Sequence, residues 1–422
     1  MSNRLMGATI FNVFRDPLGF FISPHVESVD MTGGFTFVHC ADLHIGNRKW
    51  STTCDDPRLR DSPKTSFARI VDTALSSDAA FMVISGDVYD SDEIAPSDRL
   101  FVCDQLSRFG KPVFICRGNH DCVQNFDRIL PYPGNVHEFP TSPDTVKLRV
   151  GERSEVVEVT GVSFQSSSDK RNLATMLKGS TDAFTVACVH CNVGSIQEHD
   201  DYAPCSPKDL VGRGVDYWAL GHIHKGGILS KEPYAVYAGV TQGRTFKETG
   251  SKGCYVVKVD SGRVVSCMLT RTAPFTWTEK TIDITGRDMD SILLECHGHR
   301  KDEIVRFRFV GKGDLDGVLR EHPDDMRDSI RSASGCGWCE LQVDSMPRQT
   351  LVSGSGSDLP AAVMRSAERL KQLGRERTIE KLCENPNMAP FRNRLMEMSD
   401  EEFSALVDRA AGDAVNALER VS

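Results

Sequence analysis

A chain of 422 residues with 40% apolar side chains is long enough to bury the cores of two or three globular domains. Its 50 basic against 59 acidic residues leave a formal net charge of −9. This excludes a protein that grips nucleic acid through overall basicity, so a polyanion would have to be met by a local patch or by metal ions. No stretch approaches the roughly 20 apolar residues of a membrane span, and "MSNRLMGATIFNVFRDPLGFFISP", broken by Arg15 and Asp16, lacks a secretory core; a cytoplasmic protein with no membrane contact is expected.

Residues 1–33 precede the first convincing strand and are expected to form a dispensable or disordered extension, with Met31 as the expected translation start. From there short apolar, β-branched runs alternate with amphipathic segments. "FTFVHC" (35–40), "FMVIS" (81–85), "PVFIC" (112–116), "FTVACVH" (184–190), "DYWALGH" (216–222), "AVYAGV" (235–240) and "CYVVKV" (254–259) read as strands bounded by turn residues. Between the first two, "SPKTSFARIVDTALSS" predicts a helix with Ser62 as N-cap, Pro63 at its first position and Phe67, Ile70, Val71, Ala74 and Leu75 on one face. A second helix is predicted over 97–109, capped by Ser97, with Leu100, Cys103 and Leu106 inward. The alternation over residues 34–270 predicts a layered α/β domain with sheets buried between helices.

Beyond it, residues 275–345 predict a small α+β module. "DMDSILLEC" and "DLDGVLREH" read as helices, "WCELQV" as a strand, and "EIVRFRFV" as a strand with Val305, Phe307 and Phe309 on one side and Arg306 and Arg308 on the other. Residues 346–360, with "LVSGSGSDLP", read as a linker, and 361–422 as a helical tail. In that tail Ser399 and Glu402 have capping-box spacing, and Phe403, Leu406, Val407, Ala410 and Ala411 make an apolar face for its own body or for a partner. Fourteen scattered cysteines fit reduced thiols better than a disulfide framework. The C-x-x-C pairs Cys188/Cys191 and Cys336/Cys339 lie too far apart for a zinc ribbon.

A recurring event is a strand that ends in a metal-ligand type. "HCADLHIG" offers Asp42 and His44, "ISGDVYD" Asp87, "CRGNHDC" Asn119, His120 and Asp121, "ACVHCN" His190, and "ALGHIHKG" His222 and His224. In a parallel α/β architecture the C-terminal strand ends share one edge, so these blocks can converge. Carboxylate, amide and imidazole donors suit manganese, iron or zinc, and the absence of cysteine from the glycine-flanked positions argues against a closed structural zinc site. Asp42, His44, Asp87, Asn119, His190, His222 and His224 are too many ligands for one ion but suffice for two sharing a carboxylate, the arrangement that clamps a phosphoryl group. Each block alone is a weak signal; their order is the strong one. His297 and His299 in "CHGHR" lack ordered partners and read as a surface turn, His39 as a core residue or one that supports the ligands from behind, and His199 as a rim residue.

The five blocks, in order, resemble the calcineurin-like metallophosphoesterases. "YAPCSPKDLVGRGVDYWALGHIHK" and "VYAGVTQGRTFKETGSKGCYVVKVD" are similar to bacterial DNA-repair exonucleases of the SbcD and YhaO type, relatives of the eukaryotic double-strand-break repair nuclease. The resemblance is specific over 35–260 and holds in outline beyond. It implies an α/β fold, a layered α/β/β/α metallophosphoesterase sandwich with a small α+β capping domain (275–345) and a helical C-terminal tail that binds a coiled-coil SMC-like ATPase. It also implies two divalent ions, Mn²⁺ foremost: Asp42, His44 and His224 on one, Asn119, His190 and His222 on the other, Asp87 between them. His120 then serves the leaving oxygen or the transition state, Asp121 orients His120, and water is the nucleophile. Some nuclease relatives carry a histidine three residues after the bridging aspartate, where this chain has Asp90, so that residue's handling of the DNA strand does not carry over.

The implied activity is a DNA phosphodiesterase in repair, a 3′–5′ exonuclease with structure-specific endonuclease activity, with homodimers common in the family. Arg117, Arg244, Lys247 and Lys252 are the basic residues expected near the DNA, with Arg306 and Arg308 as further phosphate contacts unless they form only a solvated strand face. Arg117 has a salt bridge to a surface carboxylate as its alternative. A metallophosphoesterase for small phosphoesters or nucleotides, or a scaffold with a vestigial metal site, are the competing readings.

Overall fold

The computed structural model describes residues 34–46, 57–91, 94–122, 130–194, 202–346, 359–385 and 387–419. The expectations for 1–33, for His199 and for most of the 346–360 linker lie outside the described residues.

In chain order the first part comprises β1 (Phe35–Cys40), α1 (Ser62–Ser76), β2 (Phe81–Ser85), α2 (Pro96–Phe109), β3 (Val113–Cys116), β4 (Val136–Glu138), β5 (Asp144–Val150), β6 (Glu155–Gly161) and β7 (Phe184–His190). It continues with β8 (Asn192–Val193), β9 (Pro204–Cys205), β10 (Tyr217–Gly221), β11 (Gly227–Lys231), β12 (Tyr234–Tyr237), β13 (Gly253–Asp260) and β14 (Arg263–Arg271). Two six-stranded sheets result, ordered β14-β13-β1-β2-β3-β4 and β11-β12-β10-β7-β6-β5, with β8 and β9 as a short separate ribbon. The central strands β1 to β4, and β6, β7, β10 and β12, run parallel; β13, β14, β5 and β11 close the sheets antiparallel.

Side-chain alternation explains why the central strands are apolar throughout. Phe35, Phe37, Phe81, Val83 and Phe114 meet Val157, Val159, Val186, Tyr217 and Val236 between the sheets. On the opposite face, Val38, Met82, Ile84 and Ile115 pack under Phe67, Ile70 and Val71 of α1 and Val102 and Leu106 of α2. The outer face of the second sheet, with Val189, Trp218 and Leu220, is covered by Leu173, Ala174 and Leu210. That layer therefore rests on 3₁₀ turns at Leu173–Met176 and Pro207–Leu210.

Two helix details differ from expectation. Ser62 sits inside the first turn of α1 with Asp61 at the cap position, and its hydroxyl donates to Leu59 O at 2.6 Å. α2 starts at Pro96, and its inward residues are Arg99, Val102, Leu106 and Phe109, while Leu100 is 48% exposed. The expected stripe was rotated around the helix because the buried arginine looks polar in sequence.

The second part is a parallel three-stranded sheet, β15 (Thr276–Asp283), β16 (Glu303–Val310) and β17 (Trp338–Val343), with α3 (Met289–Cys296), α4 (Leu315–Glu321) and α5 (Pro323–Ser334). Val305, Phe307 and Phe309 are buried, as their alternation predicts. The last part holds α6 (Leu359–Leu373), α7 (Arg375–Cys383), α8 (Arg392–Met396) and α9 (Asp400–Glu419) around Ala367, Ile379, Phe403, Val407 and Ala411. The predicted capping box is formed, with Ser399 N–H donating to Glu402 Oε2 at 2.7 Å and Glu402 N–H to Ser399 Oγ at 3.1 Å. Leu406 and Ala410 face outward rather than into that cluster. The thirteen cysteines among the described residues are free thiols, and among those residues no helix is long and apolar enough to cross a membrane.

Candidate metal centre

The parallel strands end in register, Cys40 opposite Ile84, Ser85 opposite Cys116 and Gly221 opposite His190, so their following loops leave from one edge. Backbone bonds then lock the first two loops together: Asp42 N–H donates to Gly86 O at 3.1 Å and His44 N–H to Asp87 O at 3.1 Å. Asp42, His44, Asp87 and His222 all adopt positive φ, between 46° and 95°. Non-glycine residues enter that region only when their surroundings force them. Two glycines of the blocks are needed for close approach. A Cβ on Gly118 would lie 2.2 Å from Asp87 Oδ1, and one on Gly221 would lie 1.8 Å from Ser85 O.

All seven expected ligands meet at this edge. His190 donates from Nδ1 to Ser85 O at 2.9 Å, which turns Nε2 toward Asn119 Oδ1 at 3.1 Å and Asp87 Oδ2 at 3.4 Å. His222 Nδ1 faces the same Asn119 oxygen at 3.2 Å, and its backbone N–H donates to Asp42 Oδ1 at 3.2 Å. His44 and His224 bring their Nε2 atoms to 3.2 Å of each other. Three groups, Asp42 with His44 and His224, Asp42 with Asp87 and His190, and His44 with Asp90 and His120, each keep their donor atoms within 4.8 Å.

This donor set fits divalent cations. Asp42 Oδ2 is buried and has no hydrogen-bond partner among the described residues, an arrangement that is unfavourable without a bound cation. Burial raises the Asp42 carboxyl despite the His190 and His224 charges. Burial would also raise Asp87, but the charges of His190, His44 and His120 hold it below the usual range. His44 is pushed well below an ordinary histidine by burial and then by the nearby Arg244 charge. In His224 the loss from burial is outweighed by the Glu248 hydrogen bond and the Asp42 charge, and its pKa is raised. Buried imidazoles beside carboxylates, with one nitrogen already engaged, are the usual form of a metal-ligand set.

His120 is exposed beside this cluster, its backbone N–H donating to Asp87 Oδ1 at 3.0 Å and its Nδ1 to the Asp90 carbonyl at 2.8 Å. The expectation that Asp121 orients His120 is corrected. Asp121 accepts from the amides of Gly118 and Val88 at 2.8 Å and of Tyr89 at 3.4 Å, so it ties the third loop to the second. Burial, then the Asp87 charge, pushes its pKa up to about 7.

The basic residues divide. Lys247 is exposed. Arg117 is half-buried with Nε 3.9 Å from Glu138, close to its alternative reading. Arg244 is paired with Asp90 at 2.9 Å and Glu248 at 3.6 Å, and Lys252 is buried with Nζ donating to His224 O at 3.3 Å. Both are engaged in the interior, Arg244 by two carboxylates and Lys252 by a main-chain carbonyl. Arg306 pairs with Glu279 and Glu340 and lies over the Phe246 ring, and Arg308 pairs with Asp344 at 2.6 Å, so this is a neutralised strand face. His299 packs inward on Glu303 and Phe307 rather than forming a surface turn. His39 is a core residue, bonded to Tyr217 and Ser85. Glu248 was missed: it bonds His224 Nδ1 at 2.6 Å, and only its position beside the expected Arg244 loop could have drawn notice.

Residues 35–226 match the calcineurin-like phosphoesterase family. An uncharacterized metallophosphoesterase of Bacillus subtilis, YhaO, is 33% identical over 318 residues, covering 72% of this chain and 78% of the relative. The DNA double-strand break repair protein Mre11 of Saccharolobus solfataricus is 23% identical over 48% of this chain, and the match spans about half of that relative, 52%. A solved dimetal phosphatase from Danio rerio superposes with a TM-score of 0.36 at 12% identity, over 54% of this chain and 93% of that one. With a metal-ligand constellation at the strand edge and a relative of this identity and coverage, the chain belongs to the calcineurin-like metallophosphoesterases, metal-dependent hydrolases of phosphoesters.

Proposed function

We propose that this protein is a two-metal-dependent DNA phosphodiesterase acting in repair in the cytoplasm, a 3′–5′ exonuclease with endonuclease activity at unusual structures. The observation that carries the reading is the meeting of Asp42, His44, Asp87, Asn119, His190, His222 and His224 at one strand edge with His120 exposed beside them. Asp42, His44 and His224 would hold one cation, Asn119, His190 and His222 the other, and Asp87 both, with Mn²⁺ the favoured metal. Bound there, a cation pair supplies Lewis-acid polarisation of the phosphoryl oxygens and acidifies an attacking water. The protein's own part is orientation and proton transfer. The Asp90 carbonyl accepts from His120 Nδ1–H and leaves Nε2 facing the site; in its imidazolium form the ring would give the Nε2 proton to the departing oxygen. Asp121 keeps the Asn119–His120 loop against the Asp87 loop.

The DNA substrate is supported by the similarity to double-strand break repair proteins, and Lys247 is the exposed basic residue we assign to the backbone. Residues 275–345 would act as the capping domain. The helical tail, with exposed Leu359, Leu370, Leu382, Phe391 and Leu406, would bind a coiled-coil SMC-like ATPase; homodimers are part of the same reading.

The test supplies Mn²⁺ with labelled duplex DNA, a phosphomonoester and a cyclic nucleotide, beside His120→Gln and Asp87→Ala. DNA cleavage lost in both variants, with little turnover of the small esters, is expected. Preferential turnover of a small ester would overturn the substrate, and full activity in Asp87→Ala would overturn the two-cation assignment.

A further inference from the structure

The two imidazoles that face each other across the first ligand group are each backed by a carboxylate. His224 Nδ1 is hydrogen-bonded to Glu248 Oε1 at 2.6 Å, whereas His44 Nδ1 meets Asp90 Oδ1 at 2.9 Å as a close contact without hydrogen-bond alignment. A carboxylate bonded to Nδ1 fixes both the rotation of the ring and its tautomer, as Glu248 does for His224, so that the Nε2 lone pair points away from the carboxylate; Asp90 confines the His44 ring by contact. In this pair the two Nε2 atoms point at each other, 3.2 Å apart.

The two backing carboxylates come from different loops and share one cation. Arg244 reaches Asp90 Oδ1 with Nη1 at 2.9 Å and Glu248 Oε1 with Nη2 at 3.6 Å, and its backbone N–H donates to Glu248 Oε2 at 2.7 Å. Its side chain is only 14% exposed. His190 is aimed differently, by the backbone carbonyl of Ser85 at 2.9 Å. One ligand group is thus oriented by the main chain of a central strand, the other by a side-chain clamp.

The loop that carries the clamp is fastened to the three-stranded sheet. Trp277 Nε1–H donates to Gly243 O at 2.7 Å and Gly250 N–H to Trp277 O at 2.9 Å. Phe246 stands edge-on to the Trp277 ring with centroids 4.8 Å apart, and Arg306 lies 4.1 Å over the Phe246 ring. These contacts hold the 243–250 loop against β15 and β16 and so fix where Arg244 and Glu248 stand.

We propose that Arg244, with Asp90 and Glu248, is a positioning unit for the first cation site, holding His44 and His224 in the mutual orientation in which both offer Nε2 to one ion. The inference rests on the two-cation reading above. Arginine suits the task because its planar, permanently charged fork spans two carboxylates at once, which a lysine ammonium on a flexible stem does not reproduce. Phe246 and Trp277 are the peg on which the clamp is seated.

The test titrates chelator-stripped full-length protein with Mn²⁺, followed by calorimetry and by the Mn²⁺ electron paramagnetic resonance signal. Arg244→Ala, Arg244→Lys, Asp90→Asn, Glu248→Gln and Phe246→Ala are compared with wild type, with a melting curve for each. The wild type is expected to take two ions. Arg244→Ala weakens one of them by roughly 10–100-fold and leaves the other, as loss of a group that orients a metal ligand does. Phe246→Ala has the same effect in smaller measure, and hydrolysis of bis(p-nitrophenyl) phosphate in both returns when Mn²⁺ is raised. Wild-type affinity for both ions in Arg244→Ala and Glu248→Gln overturns the proposal, as does equal weakening of both ions at an unchanged melting temperature. If Arg244→Ala does not fold, Arg244→Lys and Glu248→Gln carry the same test. A wild type that takes a single ion sinks the two-cation reading by itself; the clamp then stands only if Arg244→Ala weakens that ion.

Discussion

The backbone N–H of His120 donates to Asp87 Oδ1 at 3.0 Å, which fastens the exposed histidine to the carboxylate at the centre of the ligand set. Because the donor is a main-chain amide, His120→Gln keeps this bond and removes only the imidazole. Its turnover of a diester is expected to fall about 10²–10⁴-fold, the usual contribution of a positioned proton donor, with metal content unchanged. Asp87→Ala removes the acceptor and the proposed bridging ligand together and should lower both. Metal analysis beside steady-state kinetics separates the two outcomes; a His120→Gln protein depleted of metal would show that the ring does structural work.

Glycine at and just after the strand ends sets how closely the ligand loops and strands approach. Gly221→Ala would drive a methyl group into the Ser85 carbonyl, and Gly118→Ala into Asp87, where a Cβ would stand 1.8 Å and 2.2 Å away. Relief requires backbone movement at the ligand loops. Each variant should lose about 1–3 kcal/mol of stability, the range for overpacking a tight site, and bind Mn²⁺ more weakly. Urea denaturation and metal titration measure these separately; wild-type values in both would contradict the close approach.

Acid sensitivity should come in part from His39. Burial pushes its pKa down to about 3 in the folded protein, against about 6.5 in the unfolded chain. Between those values the unfolded state binds the additional proton, so stability rises with pH across that window and is lost as pH falls from about 6.5 toward 3. The loss from this one residue is about 2 kcal/mol at pH 5. A His39→Asn variant, whatever its stability at neutral pH, should show a flatter decline. Urea midpoints between pH 7.5 and 5 test this, and parallel slopes in the two proteins would exclude it.

Helix α2 offers a check on packing. Leu100, which the periodicity turned inward, is 48% exposed, while Val102 is fully buried. Leu100→Ala should therefore change stability by less than about 0.5 kcal/mol, and Val102→Ala should lower it by about 1–3 kcal/mol. Reversed magnitudes in thermal or urea unfolding would restore the expected register.

The readability of the sequence followed burial. Strands β1, β2, β3, β7 and β10 are covered on both faces, so each reads as a continuous apolar run stopped by a ligand block. All seven ligand types were therefore visible at or within four residues of a strand end, from His190 on the last residue of β7 to His44 four residues after β1. Half-covered strands were legible only where the inner face was strongly apolar, as in β16; in β5, "DTVKLRV", three of the seven residues are charged and every second side chain is outward, which resembles a polar loop. Charge was misleading for a related reason. Arg244 and Lys252 looked like a basic rim, but a sequence records charge and not the partner that neutralises it, and Glu248 acquires its role only when the loop folds back onto His224.

The left-handed backbone at Asp42, His44, Asp87 and His222 sets the enzyme's folding against its chemistry. Each would be more comfortable as glycine, since a side chain in that conformation is strained by about 1–3 kcal/mol. Replacing any of them by glycine would therefore relax the backbone while deleting a donor. A screen that rewards thermal resistance alone would drift toward sturdy, inert descendants at these four positions. Only a screen that also scores hydrolysis would retain the donors.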